Sequence, residues 1–187
     1  LLRQRLIASQ YVVDIKNISG LDYVDESSDG IRIVALTTHR TIETSRLINK
    51  KYPILAEMER VVGSVQVRNW GTIGGNLAHA DPSADPVPAL IALGARVKAV
   101  SVRGEREIKL EEFCLDYFQT ALEDDEILKE ISVPKLASNS GGIYVKESVR
   151  QGDFGIVTVA VLVTMNGNQA VKEARIVLGA QSRKATR

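Results

Sequence analysis

The chain of 187 residues carries 24 Lys plus Arg against 23 Asp plus Glu, a formal net charge of +1. A balance this close, with no long basic run, excludes a general nucleic-acid surface. Hydrophobic residues make up 44% and charged residues 25%, the composition of a globular protein long enough for one large domain or one domain and part of another. The apolar run IVTVAVLVTM at 156–165 is too short to span a bilayer, and no signal peptide opens the chain. One cysteine and two histidines rule out an internal disulfide and a cysteine-based metal centre, and make a reducing cytoplasm the expected compartment. The chain begins LLRQRLIASQ without Met and ends LGAQSRKATR directly after a strand-like run, which reads as a stretch of a longer protein.

In chain order, YVVDI (11–15) reads as a short strand and IRIVAL (31–36) as a firmer one, bounded by Asp29-Gly30. Residues 38–49 read as an amphipathic helix. A stronger helix follows over 53–62, with Pro53 at its first position, a stripe of Ile54, Leu55, Met58, Val61 and Val62, and Gly63 just past its end. Asp85-Pro86 opens another helix that runs to Gly94, with Asp85 as its N-cap. Residues 95–102 and 105–110 flank Arg103-Gly104 as a hairpin. A short helix or turn at 110–118 and a strand at 126–134 close the first part. After the loop 135–142, strands at 143–149, 156–165 and 171–180 follow, the last two joined by the turn Asn166-Gly167-Asn168. The fold class is α+β, with helices early and antiparallel strands late.

The segment GTIGGN at 71–76 asks for a chemical reason. A Gly-Gly pair lets backbone approach a ligand closely and aim successive N–H groups at it. Thr72 adds a hydroxyl and Asn76 an amide, so 72–76 has the parts of a pyrophosphate cradle. Neither the Walker A pattern nor the dinucleotide-binding fingerprint is present. A plain tight turn between helices explains the glycines equally well. Asp85, besides capping, can accept from a ribose hydroxyl or a flavin N–H. Trp70 is read first as core packing and second as a wall against a flat ring. Arg68 faces either a phosphate or solvent, His79 is a hydrogen-bonded spacer of the loop, and Cys114 is buried filler. Lys146 is either the polar face of a strand or a cation that reaches a flavin or phosphate.

These residues carry a family. VRNWGTIGGNLAHADPSADPVPALIALGARV, then EEFCLDYFQTALEDDEILKEISVP, then GGIYVKESVRQGDFGIVTVAVLV resemble the FAD-binding medium subunit of the molybdenum hydroxylases, the relatives of carbon monoxide dehydrogenase, xanthine dehydrogenase and hydroxybenzoyl-CoA reductase. The resemblance covers most of the chain. It implies a non-Rossmann FAD-binding fold of the vanillyl-alcohol oxidase and p-cresol methylhydroxylase type over residues 1–136, and the beginning of a small α+β C-terminal flavoprotein domain over 137–187. It implies that Thr72, Ile73, Gly74, Gly75 and Asn76 wrap the FAD diphosphate. Asp85 would bind the flavin nucleotide, Leu128 would contact the isoalloxazine surroundings by backbone, and Lys146 would lie near the ring. The family's upstream Ala-Gly-Gly loop, the other half of its cradle, has no match here.

The same resemblance implies division of labour. A large subunit would carry molybdenum and a pterin, and a small one two [2Fe-2S] clusters. Electrons would pass through FAD here to NAD, a quinone or another acceptor, and this chain would supply no acid, base or nucleophile. A non-redox scaffold of the same fold that has lost flavin is the contrasting expectation, and a reductase of the cell-wall sugar-nucleotide type a third, which HADPSAD fits poorly.

Overall fold

A computed structural model describes residues 10–168 and 170–187. The elements run β1 (Val24–Ser27), β2 (Gly30–Val34), α1 (His39–Thr44), α2 (Arg46–Lys51), α3 (Pro53–Arg60), α4 (Val65–Trp70), α5 (Ile73–His79), α6 (Pro86–Ala92), β3 (Arg96–Ser101), β4 (Gly104–Lys109), α7 (Leu110–Phe113), β5 (Cys114–Asp116), β6 (Gln119–Thr120), β7 (Ile127–Pro134), β8 (Ser140–Glu147), β9 (Val157–Met165) and β10 (Val171–Gly179). The architecture is mixed α and β, as the sequence pattern requires. A five-stranded antiparallel sheet has the order β1-β2-β7-β3-β4, and a second antiparallel sheet the order β10-β9-β8.

The first sheet is two-faced because its strands alternate. Ile31, Ile33, Val97, Ala99, Ile131 and Val133 point inward and are buried. The other face carries ion pairs, among them Arg32 with Asp25 and Lys98 with Glu130. Helices cover the inner face, α5 against β7 and α7 against β3 and β4. On their far side α3 packs on β8, and α6 on β9 and β10. One apolar cluster therefore runs from Ile31 through Leu55, Leu77 and Leu90 to Tyr144, Ala160, Leu162 and Val177 of the second sheet.

Several expected elements differ. Residues 11–15 form no strand; they lie mostly exposed, and no strand among the described residues pairs with them. β1 was not expected, since VDES lacks apolar alternation and is formed by pairing with β2. The single helix over 38–49 is two, because Ser45 leaves helical geometry (φ −61°, ψ 120°) and its Oγ accepts from Ile48 N, capping α2. α3 stops at Arg60, and Val61 turns outward. The short helix or turn at 110–118 is α7 followed by β5, which pairs with β6 as a small hairpin.

Candidate functional site

The glycine segment is not a loop but the first turn of α5. Thr72 is its N-cap, and its Oγ1 accepts from Gly75 N at 3.1 Å. The strand end before α1 holds this turn in place. Ile73 N donates to Thr37 O at 3.0 Å and Gly74 N to Ala35 O at 2.9 Å, while Asn76 N donates to Thr72 O at 2.9 Å. All four N–H groups from Ile73 to Asn76 are thus engaged within the protein. This corrects the expectation that they aim at a ligand.

The glycines have separate reasons. A Cβ at Gly74 would lie 2.5 Å from Ala35 Cβ and 2.7 Å from Ala35 Cα and O, so Gly74 is bare for packing. A Cβ at Gly71 would meet Val67 O at 2.9 Å and the His39 ring at 3.2 Å. At Gly75 the sole neighbour within reach is Thr72 Oγ1 at 2.9 Å. That position opens outward, onto a cavity of about 700 Å³, within the size range of small-molecule pockets.

Thr72, Gly74, Gly75, Asn76 and Leu128 line this cavity together, with Gly71, His39, Trp70, Lys16 and His79. Ile73 is fully buried beneath it. Leu128 arrives by a slip in the β3–β7 ladder. Lys98 faces Glu130 and Ala99 faces Leu128, so Lys129 has no β3 partner. The extra residue turns Leu128 to the inner face. Trp70 is not core, as first expected. Its indole is 74% exposed, walls the cavity, and has Lys16 Nζ 4.7 Å from the ring centroid. His79 stacks at a tilt on Phe118, centroids 5.1 Å apart. Asn76 Oδ1 is buried without a hydrogen-bond partner among the described residues. A cavity with an open glycine, a free cap hydroxyl, an orphaned amide oxygen and an aromatic wall fits a nucleotide cofactor with a flat ring system.

Asp85 and Lys146 lie outside that lining, and meet each other. Lys146 Nζ is 2.7 Å from Asp85 Oδ2, and Tyr144 Oη donates to Asp85 Oδ1 at 2.8 Å. Asp85 holds the N-cap position of α6 as expected, but its side chain makes no capping hydrogen bond. Burial pushes the Asp85 carboxyl up, against the lowering effect of Lys146 and Tyr144. The Tyr144 phenol is pushed up by burial and by Asp85. Lys146 also donates to Val61 O at 3.0 Å and borders a smaller cleft of about 270 Å³ with Gly63 and Gly152. Arg68 faces neither phosphate nor solvent. It is buried, with Nε 2.9 Å from Glu43 and Nη1 donating to Val62 O and Gly63 O.

Sequence reasoning missed His39 and Glu59. The His39 Nδ1 to Glu59 Oε2 distance is 2.8 Å, with side chains 2% and 0% exposed. Burial pushes the Glu59 carboxyl up, His39 lowers it, and Asp85 and Glu43 raise it further. A Glu on the apolar stripe side of α3 was the available signal. Cys114 is buried as expected, its thiol pushed up to about 11 by burial. No helix among the described residues is long and apolar enough to cross a membrane.

Comparison with known proteins identifies the family. Residues 1–136 match the FAD binding domain in molybdopterin dehydrogenase. The chain is 39% identical over 183 residues to the 6-hydroxypseudooxynicotine dehydrogenase complex subunit alpha of Paenarthrobacter nicotinovorans, covering 97% of this chain and 62% of that relative. It is 32% identical to the glyceraldehyde dehydrogenase medium chain of Sulfolobus acidocaldarius, covering 96% and 63%. The structure of quinoline 2-oxidoreductase from Pseudomonas putida 86 superimposes with a TM-score of 0.91 at 32% identity, covering 98% of this chain and 64% of that one. The chain thus spans a little over three fifths of the length of the relatives it matches.

Proposed function

The chain belongs to the family of FAD-binding domains of molybdopterin dehydrogenases, and we propose that it is the flavin-holding part of a medium subunit in a molybdenum hydroxylase complex. Bound FAD supplies the electron transfer, from [2Fe-2S] clusters of a small partner subunit to an acceptor such as NAD or a quinone, with the molybdenum-pterin on a large subunit. The single cysteine of the chain, Cys114, is buried and apolar in its setting, which supports placing the clusters elsewhere. The compartment is the cytoplasm in this reading.

The observation that carries the proposal is the 700 Å³ cavity onto which Gly75 opens beside Thr72 and Asn76. Thr72 offers a hydroxyl hydrogen to a phosphate oxygen, because its oxygen is the acceptor for Gly75 N. Asn76 Oδ1, buried and unpartnered among the described residues, accepts from a ribose hydroxyl or a flavin N–H. Gly75 gives the room for close approach, and Ile73 and Gly74 fix the turn from below. Leu128 and Trp70 exclude water from a flat ring. Asp85 and Lys146 belong to the flavin's surroundings on the strength of the resemblance. Two of the three Lys146 N–H donors are engaged by Asp85 and Val61 O, so one remains for a ligand. The vanillyl-alcohol oxidase type of fold and the boundary at residue 136 are part of the same reading. The loop between β7 and β8 is where that boundary falls.

The test is the absorbance spectrum of the purified protein, before and after acid release of cofactor. Flavin bands are expected, and loss of them in Gly75→Val, whose side chain fills the open face. A colourless protein that takes up no added FAD overturns the proposal and leaves the scaffold.

A further inference from the structure

The α5 turn has no free backbone donor for an anion, yet the cavity it borders is read as a diphosphate site. A diphosphate needs donors, and the side chains must provide them. His39 sits at the floor of this cavity. Its ring lies under Gly71, where a Cβ would come within 3.2 Å of Cδ2 and 3.7 Å of Nε2. Nδ1 is turned away, 2.8 Å from Glu59 Oε2. Nε2 has no hydrogen-bond partner among the described residues, although the side chain is 98% buried by its 2% exposure. We propose that His39, held by Glu59, presents Nε2–H to a phosphate oxygen of the bound nucleotide.

The protonation follows from the charge count of the pair. A neutral His39 beside an ionised Glu59 would bury a net negative charge, and Glu59 Oε1 has no partner to stabilise it. The surrounding groups set the balance. Glu43 and Arg40 are on α1, with Glu43 paired to Arg68 of α4. Asp85 precedes α6 and is paired to Lys146 and Tyr144 of β8. Asp14, Lys16, His79 and Glu126 line the cavity, and Glu126 is paired to Arg106. Asp85 and Glu43 both disfavour a further negative charge at Glu59, as does its burial. Burial, Asp85 and Glu43 thus all favour a proton held on the carboxyl side of the pair. With a proton on Glu59 or shared with Nδ1, Nε2 carries hydrogen, and His39 is among the residues that line the cavity. An approaching phosphate strengthens the arrangement, since it favours the donor over the lone pair.

This inference rests on the flavin reading, and the experiment separates the two. FAD and, as the phosphate-bearing half without flavin, ADP are titrated onto flavin-depleted protein between about pH 5.5 and about pH 8.5. Thermal unfolding of each variant is followed alongside. Wild-type affinity for both falls with rising pH as the pair loses its proton. His39→Leu weakens both by roughly tenfold or more, the size expected of a hydrogen bond to a charged group. His39→Gln, which carries an amide N–H to the same place, recovers part of the loss. Glu59→Gln keeps binding and removes the pH dependence, because its amide hydrogen bonds Nδ1 without a titrating proton. Affinities for FAD and ADP within twofold of wild type in a folded His39→Leu overturn the inference while the flavin reading stands. So does an unchanged pH slope in Glu59→Gln, which also decides the matter if His39→Leu does not fold. Wild-type protein that takes up neither FAD nor ADP overturns the flavin reading itself, and this inference with it.

Discussion

Gly74 and Gly75 are adjacent, and the structure gives them opposite jobs. In Gly74→Ala the new methyl lies 2.5 Å from Ala35 Cβ and 2.7 Å from Ala35 Cα and O. Carbon contacts settle near 3.5–4.0 Å, so α5 and the end of β2 must part by about 1 Å. Backbone stands on both sides, with no flexible side chain to yield. Overpacking of this kind costs about 1–3 kcal/mol, and parting stretches the Gly74 N to Ala35 O bond, now 2.9 Å, for about 1 kcal/mol more. Better helix propensity returns about 1 kcal/mol. The net loss is about 2 kcal/mol, a fall in Tm of about 4–8 °C for a domain of this size. In Gly75→Ala the methyl meets Thr72 Oγ1 alone, at 2.9 Å. The weakened cap and the improved helix propensity are each worth about 1 kcal/mol and oppose one another. Its Tm should stay close to wild type while its FAD affinity falls. Thermal unfolding by circular dichroism and FAD titration, run on both variants, decide it. Equal Tm losses, or full FAD binding by Gly75→Ala, would refute the assignment of one glycine to packing and the other to the cavity.

Lys146→Met leaves Asp85 buried with Tyr144 as its remaining partner, and should cost about 3–5 kcal/mol in urea unfolding. Adding Asp85→Asn should restore part of it, and strictly additive losses would show that the two side chains do not interact. Glu59 has a folded pKa raised above its usual 4.5. Its contribution is therefore full below that value and lost as pH rises through the folded one, so Tm should decline across that interval in wild type and less in Glu59→Gln. Identical pH curves for the two would contradict the raised carboxyl. The one tryptophan, Trp70, is 74% exposed beside the cavity. Trp70→Ala should leave Tm nearly unchanged, and wild-type fluorescence should quench on adding FAD; unquenched emission under saturating FAD would place the flavin away from this wall.

The sequence was most legible where local chemistry and tertiary packing agree. Pro53 and the Ile54, Leu55, Met58 stripe mark α3 without help, and Asn166-Gly167-Asn168 marks the β9–β10 turn. β1 and α5 were illegible for a common reason. VDES becomes a strand through β2, and IGGN becomes helix because Thr37 O and Ala35 O capture its first N–H groups. Two glycines in a seven-residue helix argue against helix by propensity, at about 1 kcal/mol each relative to alanine. The site residues 72, 74, 75, 76 and 128 could be gathered by family pattern, and the cavity brings those five together. His39 and Glu59 stand 20 residues apart and carry no motif. Nothing but the packing of α1 on α3 reveals that they touch.

The buried charges follow a pattern that stability alone does not explain. Replacing a buried ion pair by apolar residues of similar volume is often neutral or stabilising, and the sheet's solvent face shows where ordinary ion pairs sit. The described residues nevertheless hold two deeply buried pairs of ionisable groups, His39 with Glu59 between α1 and α3 and Lys146 of β8 with Asp85 at the start of α6. Each joins elements distant in sequence, and each has one member at a cavity wall: His39 at the 700 Å³ cavity, Lys146 at the 270 Å³ cleft. In both, a buried carboxylate orients a nitrogen of a residue that lines an opening. Asp85 raises the Glu59 carboxyl and His39 lowers that of Asp85, so the two pairs lie within reach of each other's charge. Each pair thus sets a nitrogen-bearing residue at an opening, and that placement accounts for charged groups that the fold does not need.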